Sequence, residues 1–206
     1  MILYGASGHC KVVIESLKSN GLTPEIIFDD YKIEKNFCGI PLKKPERKFV
    51  SDKKIIITIG DNPSRKLVHN KLVMYDKFEY YTLSHPSAVV SPSSEIMPGT
   101  VLMPGAVVNA ECKIGLHCIL NTNASVDHES ILGDFVHVSP NAVLCGLVTV
   151  GEGTHIGAGA VLLPGINVGR WCKIGAGTVV IRDVPDFCTV VGNPGRIIKQ
   201  STPINI

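Results

Sequence analysis

Residues 139–180 read SPNAVL CGLVTV GEGTHI GAGAVL LPGINV GRWCKI GAGTVV when set out in sixes. Every block closes on an aliphatic residue: Leu144, Val150, Ile156, Leu162, Val168, Ile174 and Val180. The same step taken backwards meets Val138, Leu132, Val126, Leu120, Ile114, Val108, Leu102, Ile96 and Val90 without a slip. Two residues before these aliphatics the position is usually small, as at Ser94, Ala106, Cys112, Cys118, Ala124, Ala142, Ala160, Cys172 and Thr178. Residues two apart on a strand share a face, so in most blocks one face carries a large aliphatic and a small neighbour. A period of six does not return to one side of an α-helix with 3.6 residues per turn. Short strands joined by tight bends can use it. Pro92, Pro98, Pro104, Pro140 and Pro164 fall two residues after an aliphatic, and Gly115, Gly133, Gly151, Gly157, Gly169 and Gly175 fall one after. Gly and Pro confined to fixed phases mark corners. The pattern predicts a hexapeptide-repeat parallel β-helix with no long loop interrupting it.

Composition agrees with such a core. Of 206 residues, 45% are hydrophobic and only 6% aromatic, with 20 Gly and 13 Pro. That excludes a disordered chain and points to small and branched aliphatics punctuated by turns. The net charge is +2 and no long basic run occurs, so nothing favours a nucleic-acid partner. No apolar stretch approaches the ~18 residues of a membrane span. The start, Met1-Ile2-Leu3-Tyr4-Gly5, lacks the basic and apolar regions of a signal peptide. The seven Cys form no CxxC pair and read as free thiols of a cytoplasmic protein.

The first 82 residues follow a different pattern. Ile2-Leu3-Tyr4 is a short strand, Gly5-Ala6-Ser7-Gly8-His9 a turn, and Cys10–Asn20 a helix closed by Asn20-Gly21. Glu25–Phe28 is a second strand ending in Asp29-Asp30. Lys54–Ile59 is a third, followed by the Gly60-Asp61-Asn62-Pro63 turn and a helix over Ser64–Tyr75. Strand, glycine turn, helix, strand presents helix N-terminal N–H groups to a phosphate, and acids after the second strand can hold a ribose or base edge. The full GxGxxG is absent and the segment is short for a dinucleotide. A mononucleotide, such as the nucleotide end of a sugar nucleotide, fits better.

The two halves together resemble the bacterial sugar O-acyltransferases that include the NeuD-like sialic-acid O-acetyltransferases. Within that group the chain is most similar to PglD-type N-acetyltransferases of UDP-linked 4-amino sugars. The residues carrying the likeness are Tyr4–His9, Asp29-Asp30, Ile59–Asn62 with Arg65, Leu120-Asn121-Thr122, Val126–Glu129, His137-Val138-Ser139 and Val191–Pro194. The resemblance implies a small Rossmann-like domain (1–82) followed by a left-handed β-helix with a C-terminal tail (83–206). Three hexapeptides would make each triangular coil, giving about five coils over 90–180. It also implies a homotrimer with acetyl-CoA lying between β-helices. The outward Val107, Val143, Val161 and Val179 are apolar enough for such a partner.

Among the seven His, His128 stands out. It occupies a corner phase two residues after Val126, and 18 residues on, one coil away, stands Gly146. A histidine with a side-chain-free neighbour has room for a substrate, and Gly146 offers a backbone N–H to a developing oxyanion. Asp127 and Glu129 flank His128, and either carboxylate could orient the ring. The resemblance selects Glu129, with His128 as general base. His137 and His155 are 18 apart and stack on an outward face. His137 reads as a polar wall beside the acyl donor; no third His joins it in phase, so no metal is expected.

The expected activity is acetyl-CoA-dependent N-acetylation of a nucleotide-linked, UDP-type 4-amino sugar in surface-glycan biosynthesis. The alternatives are O-acetylation of a free sugar such as sialic acid, and a non-enzymatic or metal-binding β-helix. Acetyl-CoA is expected along one flank at His137, Gly146, Ala158 and Gly175, with Asn193, Pro194 and Arg196 near its adenine and phosphates. The sugar nucleotide is expected at Ser7, Gly8, His9, Asp29, Asp30, Gly60 and Asn62, and Asn121 should touch the sugar. Cys112, Cys118 and Cys172 are expected in the core.

Overall fold

The computed structural model describes residues 1–45, 54–74 and 78–202. Its N-terminal part contains β1 (Ile2–Tyr4), α1 (Gly8–Ser19), β2 (Ile26–Phe28), β3 (Asn36–Phe37), β4 (Ile40–Lys43), β5 (Lys54–Ile57), α2 (Asn62–Val73) and β6 (Glu79–Tyr80). The sheet order is β3-β4-β2-β1-β5-β6, parallel except for the β3–β4 hairpin. Both faces are covered, as a parallel sheet requires. Leu3, Ile27 and Ile56 pack with Cys10, Val13, Ile14 and Leu17 of α1. Ile2, Tyr4, Ile55 and Ile57 pack with Val68 and Leu72 of α2. The second helix begins two residues before its expected start because Asp61 caps it. The Asp61 carboxylate accepts from the Ser64 N–H at 3.0 Å, and Pro63 occupies the first turn. The expected end of that helix at Tyr75 lies outside the described residues.

From Leu83 onward the chain is a left-handed parallel β-helix with three faces of two-residue strands. The first face stacks Leu83, Val101, Ile119, His137, His155 and Lys173; the second stacks Val89, Val107, Ser125, Val143, Val161 and Val179. The third stacks Glu95, Lys113, Ile131, Thr149 and Asn167. Each register step is 18 residues. The six-step aliphatics point inward and form the core with Ala106, Cys112, Cys118, Ala124, Ala142, Ala160 and Cys172. The bends share one conformation. Every sixth residue from Gly99 to Gly177 has a positive φ, whether glycine or, as at His117, Asn123, Glu129 and Trp171, not. This left-handed residue lies three positions after each inward aliphatic, one beyond the Pro phase.

The β-helix is longer than its aliphatic ladder. A first rung at Leu83–Ser84 and a last at Cys188–Val191 extend the first face, and Arg196–Gln200 folds back antiparallel on the latter. The ladder misses the last rung because the final coil is two residues shorter. Val168 bridges Val184, 16 positions on, so Val184 and Val190 fall out of phase. Among the described residues no helix is long and apolar enough to cross a membrane.

The N-terminal sheet leans on the first face, where Val101, Met103 and Ile119 join the core of α1. Beside it, α2 docks on the edge between the third and first faces. Arg65, 1% exposed, donates from Nε to the His117 carbonyl at 2.9 Å and from Nη2 to the Phe135 carbonyl at 2.8 Å. Its remaining donors reach the Ile59 and Gly60 carbonyls and Asn62 Oδ1. Asn62 Nδ2 donates to the carbonyls of Gly153 and Thr154 at 3.0 and 3.2 Å. His117, Phe135 and Gly153 are successive left-handed residues of one column, so α2 reads that column coil by coil. Lys66 continues upward, 2.6 Å from Glu152 and 5.3 Å above the Trp171 ring.

Candidate active site

Three groups of residues carry chemistry. The first lies on the edge between the second and third faces. Its bend turns Glu129 into the left-handed region, φ 57°, and swings its carboxylate back to His128, with Nδ1 and Oε2 3.0 Å apart. A neutral ring donating from Nδ1 presents Nε2 as a free acceptor. Asp127 is occupied elsewhere: its Oδ1 accepts from the His128 backbone N–H at 2.8 Å and from Asn109 Nδ2 at 2.7 Å. Half of the His128 side chain is exposed. Gly146 lies directly against it. A Cβ there would sit 2.5 Å from both Cε1 and Nε2 of His128. The Gly146 N–H has no partner among the described residues.

The second group lines a pocket of about 460 Å³ at the carboxyl ends of β1, β2 and β5, bounded by Tyr4, Gly5, Asp29, Asp30, Ile59 and Lys71 with their neighbours. Asp29 Oδ2 accepts from the Ala6 N–H at 2.8 Å, and Oδ1 accepts from the N–H groups of Tyr31 and Lys32. Burial works against its charge, but the three backbone donors outweigh it and hold the carboxyl below its ordinary range. Asp30 takes hydrogen bonds from Tyr4 Oη at 2.8 Å and from Lys71 Nζ. Burial pushes the Tyr4 phenol up to about 12. Lys71 is raised, because Asp30 and Tyr4 outweigh its own burial.

The third group lines a pocket of about 400 Å³ between the Gly60–Pro63 turn and the first face, with His137, His155, Trp171 and Lys173. The His137 and His155 rings are parallel within 1° and 4.8 Å apart. Burial, then the neighbouring His155, pushes His137 down to about 3; burial, then Arg65, lowers His155. Both rings are therefore neutral at physiological pH. Asn121 Nδ2 lies 3.2 Å from His137 Nε2, and Ser139 Oγ lies 2.7 Å from His155 Nε2.

Residues 1–72 match the PglD N-terminal domain, and residues 147–182 match six repeats of the bacterial transferase hexapeptide. Perosamine N-acetyltransferase from Caulobacter crescentus, solved with CoA and GDP-perosamine, is 35% identical with a TM-score of 0.89 over 96% of both chains. The acetyltransferase domain of PglB from Neisseria gonorrhoeae is also 35% identical, with a TM-score of 0.89 over 96% of this chain and 98% of that one. The chain belongs to the PglD-type sugar N-acetyltransferases. It is an acetyltransferase of the hexapeptide class. WeeI from Acinetobacter baumannii is similar over the same length, at 28% identity and a TM-score of 0.87 over 96% and 98%.

Against the PglD-type expectation, several residues stand elsewhere than the sequence suggested. The Gly5–His9, Asp29-Asp30 and Gly60–Asn62 turns do meet at one edge of the sheet, with the Gly5 backbone against Ile59 and Gly60 against His9. Asp29, Asp30 and Gly5 line the first-domain pocket, but Gly60 lines the junction pocket. Ser7 and Gly8 are exposed at the start of α1, whose first turn carries no acid and whose Ser7 side chain caps nothing. His9 is neutral, pushed down to about 4 by burial and then by Arg65. Asn62 lines the junction pocket with Gly60. It is 4% exposed and both ends of its amide are engaged by Arg65 and the Gly153–Thr154 backbone, so its side chain also ties the two domains together.

Asn121 stands beside His137, its Nδ2 3.2 Å from His137 Nε2, and not on the His128 edge of its own chain. The residues expected to follow one flank occupy three places. Ala158 and Gly175 lie on the edge between the first and second faces, where Gly177 N–H donates to the Ala158 carbonyl. The tail with Asn193 and Pro194 reaches that edge through Gly195 N–H to the Val179 carbonyl, and Arg196 begins the final strand. Gly146 is on the next edge and His137 on the first face. Within one chain the second face separates Gly146 from Ala158. The signal was available: only multiples of 18 return to one edge, and 158 is 12 beyond 146.

Proposed function

We propose that this protein transfers an acetyl group from acetyl-CoA to the amine of a nucleotide-linked amino sugar, with His128 as general base. The His128–Glu129–Gly146 geometry carries this reading. The amine nitrogen attacks the thioester carbonyl carbon while its proton passes to His128 Nε2. The carbonyl oxygen, now negative, is met by the Gly146 N–H. The C–S bond then breaks, and the imidazolium returns its proton to the departing CoA sulfur. Glu129 keeps the ring in the tautomer that can accept.

The nucleotide belongs in the pocket of residues 1–82, near Asp29, Asp30 and the Gly5–His9 turn, with the β-helix of residues 83–206 supplying the acetyl-transfer site. We assign the sugar nucleotide as UDP-linked with a 4-amino group; the Caulobacter relative, solved with GDP-perosamine, makes GDP the second reading. The assembly we propose is a cytoplasmic homotrimer. In it, the edge with Ala158 and Gly175 and the face with His137 of one copy meet the His128–Gly146 edge of another around the acyl donor. The apolar column Val89, Val107, Val143, Val161 and Val179 suits burial against a neighbour. The test is acetyl-CoA-dependent CoA release, assayed with UDP- and GDP-linked 4-amino sugars, their free sugars and sialic acid. Turnover only with a free sugar would overturn the sugar-nucleotide reading.

Gly146→Ala is expected to lower kcat by roughly 10²-fold or more, because the added methyl displaces the His128 ring and obstructs the oxyanion position. The backbone there has no positive φ, and the clashing atoms are the far end of a side chain that can swing away. Stability should therefore change by less than about 1 kcal/mol. Activity and thermal melting measured on the same preparation check this separation.

A further inference from the structure

His69 of α2 and His117 of the β-helix meet at the domain junction, with His69 Nδ1 and His117 Nε2 2.9 Å apart. His117 is fully buried, and the proposed acetyl transfer uses neither ring. Tyr80 of β6 stands edge-on to His117 with ring centroids 4.4 Å apart, and Phe135 of the next coil stacks on it at 5.3 Å. Both also flank His69, at 5.2 and 5.5 Å. Two residues of each domain thus form one aromatic box. The other nitrogen of His117, Nδ1, is buried without a partner and pressed against Gly99, where even a Cβ would collide with it.

A neutral imidazole has one N–H and one lone pair, so the facing nitrogens must be one donor and one acceptor. With His117 donating from Nε2 to His69 Nδ1, the buried Nδ1 of His117 is left as a lone pair. An added proton has only two places to go. At His69 Nδ1 it removes the acceptor, and the bond survives only if the His117 proton moves to Nδ1, where a buried N–H finds no partner. At His117 Nδ1 it makes the same orphan and buries a cation as well. A second proton sets N–H against N–H. The surroundings do not compensate. Arg65 and Lys66 lie on the same helix, and Arg65 donates to the His117 carbonyl itself at 2.9 Å. Burial pushes the Tyr80 phenol and the Cys118 thiol up to about 12, so both stay neutral. Asp61 caps α2, and Glu152 is paired with Lys66. Asp134, the acid that acts on His69, already accepts from the Leu116 N–H at 2.7 Å. Burial, then His69 and Arg65, pushes His117 down to about 3, and burial lowers His69.

We propose that the His69–His117 contact is a proton-operated latch, which holds the N-terminal domain on the β-helix while both rings are neutral and lets α2 go when a proton enters the pair. The two imidazoles regain their ordinary proton affinity once they part, so opening takes protons up. The latch is therefore fully effective above the ordinary imidazole range and weakens as the pH falls below it, toward the depressed value of the closed state. A single site moved from about 6.5 to about 3 favours opening roughly 25-fold more at pH 5 than at pH 7. The pocket between the Gly60–Pro63 turn and the first face opens with it, since Arg65 holds that turn through the Ile59 and Gly60 carbonyls.

Trp171 is the only tryptophan, and Lys66 of α2 lies 5.3 Å above its ring, so its emission reports docking while far-UV circular dichroism reports the whole fold. Urea titrations of the full chain at pH 7 and pH 5, followed by both signals, test the latch. At pH 5 the Trp171 transition should come before the circular dichroism transition. The opening constant it gives should exceed the pH 7 value by at least about 25-fold, because the depressed His9, His137 and His155 add to the effect. His117→Asn suits the positive φ of 52° and should shrink that rise by roughly 10- to 25-fold. His69→Gln should act in the same direction but less, because His69 is only partly buried. Comparing the rise, rather than the constant at one pH, separates lost titration from general destabilisation. A rise in both variants within about threefold of wild type overturns the latch. Coincident transitions of the two signals in wild type at pH 5 overturn it too, since the domains would then unfold together rather than part.

Discussion

Replacing His128 by alanine should lower kcat by roughly 10²–10⁴-fold, the usual contribution of a positioned general base, with little change in affinity for either substrate. The ring stands at a corner with about half its surface exposed, so its removal leaves no core cavity. What it removes is the proposed proton acceptor opposite Gly146. Glu129→Ala should cost less, because that carboxylate acts only through the ring it holds at 3.0 Å. The measurement is kcat of the purified variants with a nucleotide-linked amino sugar. Turnover of His128→Ala within a few-fold of wild type would remove His128 from the mechanism.

Arg65→Ala should destabilise the protein by roughly 3–5 kcal/mol, combining a large buried cavity with carbonyls that lose their donors. The guanidinium is buried against neutral oxygens alone, from Ile59, Gly60, Asn62, His117 and Phe135. Burial pushes it down only to about 10, so it stays charged at physiological pH. For a chain of this size such a loss corresponds to a fall in melting temperature of about 6–20 °C. Arg65→Lys should rescue little, since one ammonium cannot span acceptors arranged for a planar fork. Thermal unfolding followed by circular dichroism checks both variants. A melting temperature within ~2 °C of wild type in Arg65→Ala would mean that apolar contacts alone hold the domains together.

Much of this was legible in the chain itself. The six-step aliphatics from Val90 to Val180 determined the β-helix, because a two-residue strand and a bend leave one inward position per block and only an aliphatic fills it. The alternating apolar strands and their Gly and Asp turns determined the N-terminal sheet. His128 was visible as a histidine at a corner phase, and Gly146 as its neighbour one coil on. The corner conformation was less visible. The left-handed residue recurs every sixth position, but Glu129 or Trp171 occupies it as readily as Gly99, since the ladders on either side hold the bend against its own preference.

The tertiary structure decided the rest, for reasons of shape. Six residues advance the chain by one side of a triangle. Positions that look evenly spaced in sequence, such as His137, Gly146 and Ala158, therefore point in different directions. Asn62 resembled a ligand residue by its place after a strand, and only the docking of α2 on the carbonyls of Gly153 and Thr154 showed that its amide also ties the domains together. His117 carried no signal in the repeat. It gained a context when α2 brought His69 against it. Local periodicity sets which residues are buried and which are not, because burial repeats with the strand and the bend. Which exposed residues meet depends on the closure of the coil and the docking of one domain on another, and these involve contacts between positions far apart in the chain.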